Sequence, residues 1–223
     1  MSEPLHVAQL IQDPPFEWPA SYSTAIDDEK MELRVKVRFV PDRALSLTDL
    51  MGVRSETQAA VDYYFNDRFE IVESNGLKRV LSVRPEFVSE NADVDVRISP
   101  GKGRSNVNHW YADAEPVVRA HEIGHVLGLK DEYMDTIAPS RTTKDSPGVF
   151  HDHSIMGNFY DEGIEQAGFK QRHADEIATR ISEAIRMQFH AVPISERLRR
   201  GGVGRQEREE DTVSACRRVG VSA

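Results

Sequence analysis

The clearest pattern in the chain is a strict alternation between positions 31 and 39. Met31, Leu33, Val35, Val37 and Phe39 take one set of positions, and Glu32, Arg34, Lys36 and Arg38 the other. Side chains on an extended backbone point to opposite faces in turn, so a period of two predicts a half-buried strand with one charged face, closed by Pro41. Helical spacing follows. Ala60, Val61, Tyr64 and Phe65 form an apolar stripe, with Ser55 or Thr57 as the cap of a helix reaching about Phe69. Two strand-like runs, 69–73 and 77–83, flank Ser74-Asn75-Gly76. Asn-Gly between such runs predicts a hairpin of type I′, whose two central residues take positive φ.

A further alternating strand covers 92–98, with Val94, Val96 and Ile98 on one face. Residues 106–112 read as a short strand containing His109, Trp110 and Tyr111. Asp113 is the expected cap of the next helix, with Pro116 in its first turn. A second long helix is expected over 166–189, its core face made by Phe169, Ile177, Ile181, Ile185 and Phe189. Residues 1–29 carry Pro4, Pro14, Pro15 and Pro19 and are expected to be an irregular segment laid over the domain. The organisation expected is therefore an irregular segment 1–29, one folded domain 30–192, and an Arg/Gly-rich tail 193–223.

Composition narrows the picture. The 223 residues suit one domain of ordinary size, and 39% hydrophobic residues suffice for a core. A net charge of −9 argues against nucleic acid or an anionic membrane as the partner. No apolar run approaches the roughly 18 residues that span a bilayer. The stretch MSEPLHVAQLIQDPP lacks the basic start and apolar run of a secretory signal, so cytoplasmic synthesis is expected. Export by a route without a cleaved signal stays open. The single cysteine, Cys216, excludes an internal disulfide and a thiolate metal site. A monomer is favoured. Gly101, Lys102, Gly103 and Arg104 make a basic, glycine-rich stretch, but it lacks the Gly-Lys-Ser/Thr ending of a phosphate cradle and is read as a plain loop.

The chemistry lies in residues 121–131, His-Glu-Ile-Gly-His-Val-Leu-Gly-Leu-Lys-Asp. On a helix, His121 and His125 stand one turn apart with Cβ atoms about 5–6 Å from each other, close enough to share one metal ion. Glu122 is then placed to act on a metal-bound water. Gly128 can end the helix in a left-handed conformation and bring Asp131 back as a third ligand. Glu132 and Asp135 lie near enough to compete, with Asp131 favoured by its offset. Two imidazoles and one carboxylate leave zinc an open position for water, so one Zn²⁺ per chain is expected. Glu122 would serve as general base in peptide hydrolysis.

The stretch HEIGHVLGLKD resembles the long zinc signature of the metzincin clan of metallopeptidases, in the snapalysin-like variant with aspartate as third ligand. The resemblance implies an α/β (α+β) zincin with a small twisted mixed sheet, an active-site helix, a methionine-containing turn below the metal and a C-terminal helix. Met156, in Ser154-Ile155-Met156-Gly157, stands where that turn belongs. The likeness spans 31–189, but only the zinc stretch is highly specific. The clan usually has another strand before the zinc helix, where this chain has only residues 112–120. The tyrosine that some relatives carry two residues after the methionine is here Asn158, with Tyr160 two further on, so no tyrosine role carries over; Tyr133 and Tyr160 remain candidates.

His109 and Trp110, on an edge strand able to pair with an extended peptide, and His153, Asn158 and Tyr160 are the candidate substrate-cleft residues. His151 and His153 could hold a second metal, although surface histidines are the plainer reading. His173 is expected to be packed or solvated. The function expected is a zinc endopeptidase acting on protein or peptide, with a bacterial toxin or effector role in view. A non-catalytic metal-binding interaction protein and a zinc amidase acting on cell-wall peptides are the alternatives.

Overall fold

The computed structural model describes residues 5–195. Among them stand two opening strands, β1 (Leu5–Asp13) and β2 (Phe16–Ile26), where an irregular segment was expected. They pair antiparallel over their whole length, from Leu5 opposite Thr24 to Asp13 opposite Phe16. Prolines hid this hairpin. Pro14 and Pro15 occupy its turn, and Pro19 lies in the part of β2 that pairs with β1 alone. There a missing N–H interrupts no ladder on the other side.

The alternating stretch forms β3 (Lys30–Pro41), with Met31, Leu33, Val35 and Val37 fully buried. Each such side chain contributes about 1.5–3 kcal/mol by leaving water. Helix α1 (Leu47–Tyr64) begins earlier than the sequence suggested. Ser46 caps it reciprocally with Asp49, and Val53, Thr57, Ala60, Val61 and Tyr64 face the core. Strands β4 (Phe69–Glu73) and β5 (Lys78–Phe87) form the expected hairpin, but only Gly76 of the Asn-Gly pair takes positive φ. The Gly76 amide donates to the Glu73 carbonyl at 2.9 Å and the Glu73 amide to the Leu77 carbonyl at 2.9 Å, a type I turn closed by a glycine bulge instead of type I′.

Strands β6 (Val94–Ser99) and β7 (His109–Tyr111) complete the expected set and are parallel to each other. The sheet runs β1-β2-β3-β5-β4 and then β8 (Phe189–Pro193). One edge of β3 is divided: its residues 31–34 pair with β2, and its residues 37–41 with β6. The β1–β2 hairpin therefore diverges from β6 at mid-strand. No strand intervenes between β7 and α2 (Pro116–Val126), whose cap is Glu115 and not Asp113. A short helix α3 (Phe159–Glu162) and the long α4 (Gln171–Ile185) follow. Helix α4 stops at Arg186, which adopts φ 56, so Phe189 enters β8 and not the helix expected to reach it. The result is a mixed α/β molecule, of α+β type, with a curled mixed sheet and four helices among the described residues. The tail from residue 196 on and Cys216 lie outside them.

Candidate metal centre

Helix α2 crosses the core with Val117, Ala120, Ile123 and Val126 buried, which turns His121 and His125 to its other side. Their Nε2 atoms face each other at 3.1 Å. Gly128 then adopts φ +96, and a β-carbon there would lie 2.7 Å from Arg180 Nε. Left-handed backbone and close contact together demand glycine. The reversal places Asp131 Oδ1 3.2 Å from both imidazole Nε2 atoms. His121, His125 and Asp131 thus form one convergent group able to hold a metal ion.

The hydrogen bonds around these donors test the fit to zinc. His121 Nδ1 lies 2.9 Å from the Ile155 carbonyl and His125 Nδ1 2.9 Å from the Leu129 carbonyl. Carbonyls only accept, so this network assigns the ring protons to Nδ1 and leaves both Nε2 lone pairs pointing inward. Two lone pairs and a carboxylate oxygen at such distances repel one another unless a cation lies between them. Ligands around tetrahedral zinc, bound at about 2.0–2.1 Å, lie roughly 3.3 Å apart. Asp131 Oδ1 and Glu122 Oε2 are buried and have no hydrogen-bond partner among the described residues. The donor set fits zinc.

Glu122 is 3% exposed, and burial pushes its carboxyl up to about 7. The neighbouring His121 and Arg104 act in the opposite direction, and the Asp131 charge reinforces the rise. Asp131 moves the other way: the two histidines hold it well below the usual carboxylate range despite its desolvation.

Glu132, the rival ligand, faces away from the group. It receives Arg172 Nε at 2.6 Å and Nη2 at 2.7 Å, meets His173 Nε2 at 3.1 Å, and accepts a hydrogen bond from Ser154. These partners pull its carboxyl down to about 2 against the rise that burial alone would cause. His173 is thus a packed residue. Asp135 engages Arg141 at 3.6 Å and is not part of the convergent group.

Met156 is fully buried, and a β-carbon on Gly124 would sit 2.6 Å from its sulfur. The methionine therefore lies directly against α2 between the two histidines in sequence, and the adjacent Ile155 carbonyl holds His121. The turn around it is fixed by the Met156 amide donating to Ser154 Oγ at 3.1 Å and the Gly157 amide to the Ser154 carbonyl at 3.0 Å.

The expected cleft residues divide. Asn158 and Tyr160 line a depression together with Val118 and Phe159, next to His121 and Glu122. Trp110 is instead buried at 1% exposure, packed on Phe39 with ring centres 5.8 Å apart, because β7 turns it toward the core. His109 faces the Ser99 hydroxyl at 2.9 Å. His153, at φ 58, is occupied by the Glu162 carbonyl at 2.9 Å, and His151 is exposed. None of these three histidines reaches the metal group.

Besides Tyr133, which the sequence offered as a candidate, several residues not expected there line the site. Trp18 donates from Nε1 to the His125 carbonyl at 2.8 Å and meets the His125 ring edge-on at 5.2 Å. Phe16, Trp18, Arg104, Tyr133 and Arg141 wall a second depression that also includes His121 and Glu122. Tyr133 donates to Asp131 Oδ2 at 3.0 Å, and Arg104 reaches the Tyr133 hydroxyl at 3.4 Å. Phe16 and Trp18 lie in the stretch 1–29 expected to be irregular, whose prolines masked the hairpin that carries them. No family model, curated protein or solved structure matches this chain.

Proposed function

We propose that the protein is a zinc-dependent endopeptidase of metzincin-like design, with His121, His125 and Asp131 as metal ligands and Glu122 as general base. The observation that carries this reading is the convergence of three donors beside the buried Glu122, whose Oε2 has no hydrogen-bond partner among the described residues. A closed structural zinc site has four protein ligands and no need of a base. Here three donors stand with Glu122 adjacent, which favours catalysis over a purely structural or binding role.

Zinc, when bound, lowers the pKa of a coordinated water from 15.7 to about 7 and polarises a carbonyl oxygen. Glu122 takes a proton from the attacking water and returns it to the departing amine nitrogen. A carboxylate beside the metal position can both accept and return a proton, as the two transfers require. The backbone carbonyls of Ile155 and Leu129 hold the two imidazoles in the ligating tautomer. Two depressions meet at Glu122 and share His121, Arg104, Ser105 and Tyr133 with it. Two adjoining depressions offer room for the peptide residues that flank the bond to be cut.

The test combines metal analysis with one substitution. The purified protein is expected to bind one zinc, and Glu122→Gln to keep that zinc while losing cleavage of a casein substrate. A Glu122→Gln protein that cleaves at the wild-type rate removes Glu122 from the reaction and overturns the proposal.

A further inference from the structure

Asp131 has two oxygens in contrasting surroundings. Oδ1 faces the two imidazoles and has no hydrogen-bond partner among the described residues. Oδ2 is held from behind by the Tyr133 hydroxyl at 3.0 Å and by Arg141 Nη2 at 3.4 Å. Arg141 is 1% exposed, so its charge has left water and must be neutralised within the protein. Its guanidinium meets that need with three carboxylates and a carbonyl. Nε donates to Asp13 Oδ2 at 3.1 Å, Nη1 to the Tyr133 carbonyl at 3.1 Å, and Asp135 Oδ2 lies 3.6 Å from Nη1. Its plane also lies over the Tyr133 ring, 5.1 Å from the ring centre.

Asp13 is the distant member of this set. It ends β1, 128 positions before Arg141, and is 3% exposed. Its other oxygen accepts from the Ser140 hydroxyl at 2.8 Å. No metal donor touches it directly.

We infer that Asp13 and Arg141 are positioning residues for the metal centre, so that the N-terminal hairpin takes part in setting zinc affinity. The inference rests on the zinc reading above. Arg141 divides its charge between Asp13 and Asp131. With Asp13 in place, the guanidinium steadies Oδ2 and leaves Oδ1 aimed at the metal position. Without Asp13, the buried cation has Asp131 and the weaker Asp135 contact as its remaining counter-charges. It then draws the Asp131 carboxylate toward itself and away from the histidines. Lysine at position 141 keeps the charge but lacks the planar fork that reaches Asp13, Asp131 and the Tyr133 carbonyl together.

The measurement is the zinc dissociation constant, by competition with a chromophoric chelator, on wild type, Asp13→Asn, Arg141→Lys and Glu73→Gln. Partners that orient metal ligands typically change affinity 10–100-fold. Asp13→Asn and Arg141→Lys are each expected to weaken zinc binding by about 10-fold or more. Glu73→Gln disturbs another buried ion pair, with Arg79, and is expected to stay within about twofold of wild type because that pair touches no residue of the metal group. Circular dichroism of the metal-free proteins establishes that each is folded. Should Arg141→Lys not fold, Asp13→Asn, which keeps the side chain's shape, decides the question alone. Wild-type affinity in Asp13→Asn, or an equal loss in Glu73→Gln, overturns the inference. A wild type that binds zinc but cleaves no peptide ends the peptidase reading while the affinity comparison still decides this one. A wild type that binds no zinc ends both.

Discussion

Glu122 and Glu132 are ten residues apart, similarly buried, and oppositely treated by their surroundings. Around Glu122 the described residues supply no hydrogen bond to Oε2, and burial lifts the carboxyl to about 7. Around Glu132 it supplies Arg172, His173 and Ser154, and the carboxyl falls to about 2. Burying a charge without partners is costly, so a fold retains such a group only where something else meets it. The saturated carboxylate ties the segment after Asp131 to α4; the unsaturated one faces a cleft. The difference separates a structural anchor from the carboxylate proposed as general base more sharply than sequence position, since both follow a metal-ligand candidate directly.

The comparison breaks first at Glu122→Gln. Loss of a general acid–base group typically lowers rate by 10²–10⁴-fold, so casein cleavage is expected to fall by about that factor with zinc content unchanged. At Glu132 the effect moves from activity to stability. Glu132→Gln leaves Arg172 with Asp152 and partial access to water, and is expected to cost about 2–3 kcal/mol in urea unfolding of the metal-free protein. Gly124→Ala probes the packing below the histidines. Met156 is fully buried and cannot retreat freely from a methyl group, so about 1–3 kcal/mol is expected. That loss shrinks in a Met156→Ala background if the contact is the cause.

The finest distinction is in pH dependence of the metal-free chain. Glu132 has a folded value near 2 against an ordinary 4.5, so its contribution is present above pH 4.5 and is lost as pH falls toward 2. Glu122 has a folded value near 7 against 4.5, so its contribution is full below pH 4.5 and is lost as pH rises through 7. Urea midpoints followed from pH 3 to 8 are therefore expected to flatten on the acid side in Glu132→Gln and on the neutral side in Glu122→Gln. Identical profiles for the two variants would erase the contrast.

Much of this was legible in the chain because the signals were local. The alternation at 31–39, the Asn-Gly hairpin and the spacing from His121 to Asp131 each encode their geometry within a dozen residues, and β3, the β4–β5 pair and the donor group follow them. Where the deciding partner lies far away, local reading fails. The β1–β2 hairpin is stabilised by Trp18 on α2 and by Gln9 with Glu183 and Arg180 on α4, none of which its own prolines reveal. Phe189 continues the spacing of α4, yet the backbone turns left-handed at Arg186 and Phe189 joins the sheet next to β4. His109 and Trp110 read as cleft residues because an edge strand has one open side. Their side chains answer to β6 and Phe39 instead. The choice between Asp131 and Glu132 needed Arg172, forty positions downstream.

The docking of β1 has a consequence for synthesis. Gln9 waits for Arg180, 171 positions later, and Asp13 for Arg141. Chains emerge from the ribosome N-terminus first, at about 5–20 residues per second, and contacts this distant in sequence form late. The opening hairpin is thus made many seconds before its supports exist. A nascent chain still short of α4 therefore carries this hairpin without the contacts of Gln9 to Arg180 and Glu183 that anchor it.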